Sequence, residues 1–232
     1  MTFGRRQLTE RVPAGAAIAA PPLQAASQPE PAGDQQHCAN AAGEFLTLLL
    51  AAYTLRSGLQ PPAAVAAGAA LIGEFALRST GVPLPERGVV PGDATNDILY
   101  RGALEGRATA WMFLMHGAIE AGVATYELPK IEDVAARIAP RADGSFPLSV
   151  PEQYHPLEWP LNAGPRLRHR IIAIADTHDL SLREATIGLA AATAQLMIRT
   201  RNELPPRIGV TLAAETMLSV ARLAPLPEPV TA

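Results

Sequence analysis

The chain has 232 residues, 48% of them apolar but only 5% aromatic, with a formal net charge of −3. That length suits one domain with a real core, and the mild acidity removes any global attraction to nucleic acid or to an anionic membrane. Cys38 is the only cysteine, which excludes an internal disulfide and a multi-cysteine metal site, and no uncharged apolar run reaches the ~20 residues of a membrane span.

Residues 1–33 are rich in Pro, Ala, Gln and Gly and show no periodicity, a composition that predicts a disordered tail. Arg5 and Arg6 precede a weak apolar run, but Pro13, Pro21 and Pro22 interrupt it, so it does not read as a secretory leader. With the single cysteine, this predicts a cytoplasmic protein.

The first helix is predicted from about Asp34 to Ser57, capped by Asp34 and closed by Gly58, with Cys38, Ala42, Phe45, Leu49 and Ala52 as its inward stripe. Pro61 and Pro62 open a second helix, where a missing N–H costs nothing. It ends near Ser79 and turns Val65, Gly68, Leu71, Ile72 and Phe75 inward. The short link makes the two an antiparallel hairpin. Residues 81–92, with three prolines, form a crossing loop.

The stretch 93–122 carries the densest helical pattern. Leu104, Ala108, Trp111, Met115, Ala118 and Gly122 form a bulky stripe, and Ala103, Gly106, Ala110, Gly117 and Ala121 a small one. Arg101, Glu105, Thr109, His116 and Glu120 form a polar stripe. A helix apolar on two faces needs neighbours on both, so this stretch is predicted to be the central buried helix, with Asp93 or Thr95 as its cap. A short helix, Ile131 to Ile138, follows. Residues 140–165 lack periodicity and read as a long irregular loop, anchored by Phe146, Tyr154 and Trp159. Pro165 opens a helix through Ala175. Ser181 and Glu184 form a capping box for the next, which runs to about Thr200. Pro205 and Pro206 begin a last helix that ends near Ala224. The expected fold is therefore an all-α single-domain bundle of about seven helices over residues 34–225, with a short tail at 226–232.

Three groups of side chains offer chemistry. His116 and Glu120, at i and i+4, share a helix face and suit a metal or an acid–base pair. Asp176, His178 and Asp179 crowd a later helix–helix turn, a spacing that suits a divalent ion, and Asp176 and His178 would complete a metal set if brought to His116 and Glu120. The alternative is a solvent-facing stripe and a turn that favours Asp. Arg166, Arg168 and Arg170 form the densest basic cluster, at a helix start where guanidinium forks suit carboxylate or phosphate. Tyr154, His155 and Trp159 would close over such an anion from the loop. The alternative is that the arginines pair with Glu152 or Glu158 and the aromatics only pin the loop.

Lys130, the only lysine, lies in ELPKIED, which matches neither a phosphate-binding loop nor a Schiff-base site. The helix pair around Leu180 to Arg201 is too poor in basic residues to read as a DNA-binding element. The sequence leaves the identity of any cofactor unknown. Its expected role is a non-catalytic interaction or regulatory module acting as a homodimer. The competing reading is a helical small-ligand-binding or metal-dependent enzyme with an anionic substrate.

Overall fold

A computed structural model describes residues 32–81, 92–138, 148–223 and 225–226, with side chains from Gln36 onward. The expectations for residues 1–31 and 227–232, for most of the 81–92 loop, and for Phe146 lie outside the described residues. The all-α fold holds. Among the described residues there are eight α-helices: α1 (Ala32–Tyr53), α2 (Pro61–Arg78), α3 (Asp93–Leu99), α4 (Ala110–Ala121), α5 (Ile131–Arg137), α6 (Ala163–Thr177), α7 (Leu182–Arg199) and α8 (Pro206–Val220). No helix among the described residues is long and apolar enough to cross a membrane.

The α1–α2 link contains two short strands, β1 (Thr54–Leu55) and β2 (Gly58–Leu59), paired antiparallel. Gly58 makes the turn at φ +110°, a conformation other residues rarely adopt. Pro61 lies in the first turn of α2 and Pro206 in that of α8, as their lost N–H groups allow. The Ser181–Glu184 capping box forms in full at the start of α7.

The stretch 93–122 is not one helix. Gly106 adopts the left-handed conformation at φ +73° and closes a 3-10 turn over Arg101–Glu105. Thr109 then caps a new helix by accepting from the Met112 amide at 3.4 Å. The helical spacing continues through the break on paper, but the stop-and-start rotates the chain. Leu104, expected inside, is 89% exposed, and Ala108 is exposed as well. The stretch packs in two separate pieces: α3 buries Thr95, Ile98 and Leu99, and α4 buries one face against α7 and α8.

The most buried helix is instead α2. Ala, Val, Leu, Ile and Phe cover its whole circumference, and Pro61 and every residue from Ala63 to Leu77 are buried. It lies among α1, α6, α7 and α8. Such all-round apolarity is the sequence mark of an interior helix. α7 carries α4 on another side, and Gly117 sets the distance there: a Cβ at that position would lie 2.6 Å from Ala194 Cβ. Phe45, Leu49, Leu71, Phe75, Leu114, Leu189 and Met217 join one continuous core. Cys38 is only half-buried at its edge, with Sγ 4.0 Å from the Glu184 carbonyl.

Candidate functional site

Helix α6 carries the three arginines. Successive residues on an α-helix are turned by about 100°, so Arg168 points away from Arg166 and Arg170, which share a face. Arg168 is buried. Its Nε donates to Glu74 Oε1 at 2.5 Å and its Nη2 to the Leu226 carbonyl at 2.8 Å. The same Glu74 oxygen accepts from Arg78 Nε at 2.7 Å, one turn along α2. A Cβ on Gly164 would overlap the second Glu74 oxygen, so glycine there lets the carboxylate reach α6. This knot joins α2, α6 and the chain at Leu226. A buried charge is tolerable only when its partners are in place, and these donors are engaged with Glu74 and Leu226 rather than open to a ligand.

Arg166 is also engaged. Its Nη1 lies 3.1 Å from Glu158 Oε2, and its guanidinium stacks 4.6 Å from the centre of the Tyr53 ring. Tyr53 is buried and donates its hydroxyl to Glu158 Oε1 at 2.7 Å. Burial, and then the bond to Glu158, push the Tyr53 hydroxyl well above its usual pKa. Here the pairing with Glu158, the alternative weighed for the sequence, describes the geometry.

Arg170 differs from both. It has no ion-pair or hydrogen-bond partner among the described residues and lies on a groove of about 420 Å³ between α1 and α6. The aromatics expected above these arginines are dispersed. Tyr154 packs with Val150, Ala66 and Leu212, and the His155 Nε2–H donates to the Val150 carbonyl at 3.0 Å. Trp159, 46% exposed, follows Glu158. The six residues expected to hold one anion therefore do not converge on one pocket. Arg166 and Arg170 face α1, Arg168 faces α2, and Tyr154 and His155 hold their segment through Val150.

The two acid–histidine groups also stay apart. His116 Nε2 lies 3.1 Å from Glu120 Oε1 on the exposed side of α4. His178 Nε2 lies 2.8 Å from Glu44 Oε1 on α1, and the His178 carbonyl 3.2 Å from His37 Nδ1. Asp176 is exposed on the last turn of α6. Among the described residues no group of three or more His, Cys, Asp or Glu side chains is placed to hold a metal ion. Of the four residues proposed as a shared centre, His116 and Glu120 pair within α4, His178 just past α6 pairs with Glu44 on α1, and Asp176 belongs to neither pair.

A second groove, of about 550 Å³, runs between α5, the segment at Ser149 and the start of α8. Lys130, Arg137 and Arg207 line it opposite Glu127 and Asp133. At its edge Glu215, wholly buried on α8, accepts from the Ser149 amide at 2.8 Å and hydroxyl at 2.5 Å, and lies 3.2 Å from Arg137 Nη2. Both of its oxygens are engaged by the protein, and the groove carries both signs of charge in near balance.

Glu74, Glu215 and Glu44, absent from the sequence-derived candidates, and Glu158, named there only as an alternative partner, are acids that decide where basic residues go. Glu74 and Glu215 each stand alone in an otherwise apolar turn, GEFAL and AAETM, and that contrast is a readable sign of a buried, paired carboxylate. Compared with known proteins, the chain matches no family model, no curated protein and no solved structure.

Proposed function

We propose that this chain is a non-catalytic interaction or regulatory module that works as a homodimer, in the cytoplasm, where a lone cysteine stays reduced. The outer face of α4 carries the reading. Met112 is 48% exposed and Ile119 44% exposed, with Trp111 and Phe113 half-buried beside them. The opposite face of the same helix is packed through Leu114, Met115, Gly117 and Ala118. A helix with apolar side chains on both faces, and a domain on only one, presents a surface suited to a partner.

The second copy is the occupant that fits. Met112, His116 and Ile119 follow four-three spacing and lie along one stripe. If two α4 helices cross antiparallel about an axis beside Met115 and His116, Met112 of each copy meets Ile119 of the other. One stripe then serves both sides, as a closed twofold interface requires. In this arrangement His116, midway along the stripe, lies beside the axis, where the His116–Glu120 pairs of the two copies approach each other. Other groups considered for chemistry are engaged in structure-forming contacts: His178 hydrogen-bonded to Glu44, Arg166 paired with Glu158, and Arg168 paired with Glu74.

Light scattering coupled to size exclusion tests this directly. The expected mass at micromolar concentration is that of a dimer. The double variant Met112→Glu with Ile119→Glu should run as a monomer with an unchanged helical circular-dichroism spectrum. A monomeric parent protein removes the homodimer; a dimer indifferent to both substitutions removes α4 as its interface.

A further inference from the structure

We propose that the groove between α1 and α6 binds a small amphiphilic anion, a single carboxylate head on an apolar body, with Arg170 holding the head. The groove follows from the way the two helices cross. Tyr53, at the end of α1, meets Arg166 near the start of α6, and Glu44 meets His178 just past the end of α6. The helices therefore run antiparallel, with an ionic tie at each end of the channel. Between the ties the lining is Leu48 and Ala51 from α1 and Ala173 and Ile174 from α6, with Thr47 at the rim. Alanine at 51 and 173 keeps the space open, and Leu48 and Ile174 give it an apolar floor.

Charge fixes the polarity of the occupant. Four acidic or basic groups border this channel at its ends: Glu44 with His178, and Glu158 with Arg166. Each already has a partner, Glu44 in a hydrogen bond with His178 and Glu158 in an ion pair with Arg166, and Tyr53 gives its hydroxyl to Glu158. Arg170 is the charged lining residue without a partner among the described residues. Its backbone is eight residues from His178, about 12 Å along the axis at ~1.5 Å per residue, and Glu44 lines the same groove, so the anionic head is placed at the Arg170 end and the apolar body toward Leu48 and Ile174. A guanidinium fork matches a carboxylate with two parallel hydrogen bonds. A volume of about 420 Å³ lies within the range of small-ligand sites. An apolar floor with one unpaired cation selects a compound with one negative end and a hydrocarbon or aromatic remainder. This site is separate from the outer face of α4 and does not depend on self-association.

Calorimetric titration of the full chain with decanoate, decanol and acetate tests the inference. Decanoate should bind saturably at one site per chain, whereas decanol and acetate, each lacking one half of the recognised chemistry, should not saturate. Arg170→Gln should weaken decanoate roughly tenfold or more. Ala173→Trp, which fills the channel and leaves Arg170 in place, should abolish binding. Both positions are exposed, and circular dichroism will verify that each variant is folded. The inference is overturned if decanoate fails to saturate, if decanol binds as well as decanoate, or if both variants bind decanoate as the parent does.

Discussion

Within RLRHR, from Arg166 to Arg170, neighbouring arginines have three different fates, and the acids opposite them make the difference. The run itself shows only a cluster of positive charge. That Arg168 is interior depends on Glu74, 94 residues earlier, and on the missing Cβ of Gly164 that lets the two meet. No local spacing encodes a pairing across that distance. The helical period alone separates Arg168 from its neighbours, and a lone acid in α2 calls for a buried base, so half of the pairing was readable. Tyr53 gives this scale its prediction. Its hydroxyl is held protonated by burial and by Glu158, above the ordinary value of 10.0 that the unfolded chain would show. Below pH 10 both states keep the proton, and the stability Tyr53 contributes is whole. As pH rises above 10 the unfolded state releases its proton first, so stability falls with pH. Tyr53→Phe removes this dependence. In urea melts at pH 9 and pH 11, the parent should lose more stability between the two than the Phe variant does; equal losses would show that Tyr53 titrates normally.

Helices declared themselves through proline starts, glycine stops and apolar spacing, and their limits fell within a few residues of expectation for α2, α5 and α7. The error over 93–122 has a specific cause. A four-three pattern persists across Gly106 because Leu104 and Ala108 happen to fall in phase, whereas the backbone obeys the stronger local signal of a left-handed glycine followed by a threonine cap. Close approach of helices is likewise visible only as small residues, without showing which neighbour approaches. Gly117 in α4 and Gly43 in α1 look alike in sequence, and the structure separates them. A Cβ on Gly117 would lie 2.8 Å from Ala194 Cα, whereas one on Gly43 meets nothing within 4 Å. Replacing glycine by alanine in an open helix gains roughly 0.5–1 kcal/mol from backbone entropy alone. Gly43→Ala should therefore raise the midpoint of denaturation. Gly117→Ala should lower it, because forcing α4 off the α7 backbone costs typically about 1–3 kcal/mol. Denaturant melts of the two variants should shift in opposite directions, and a stabilised Gly117→Ala would mean that α4 and α7 are not packed this closely.

At the scale of the whole molecule, an all-α domain was legible because proline and glycine punctuate the chain and long apolar runs repeat at helical spacing. The arrangement of those helices was not, because the elements that meet are far apart in sequence: α2 with α7 and α8, Ser149 with Glu215, Glu44 with His178. The apolar surplus of α4 was visible, and part of it, Met112 and Ile119, stays exposed on a single copy of the domain. Its consequence for stability can be measured without knowing any ligand. A dimer that unfolds to separated chains gains stability with concentration, because association favours the native state by mass action. The melting temperature of the parent should therefore rise with protein concentration across the range in which light scattering finds the dimer. In the Met112→Glu, Ile119→Glu variant it should be independent of concentration and match the parent at high dilution, since both side chains face outward from a domain whose core they do not fill. A parent melting temperature that stays constant from nanomolar to high micromolar concentration would rule out stabilising self-association, and the exposed stripe on α4 would then need a different partner.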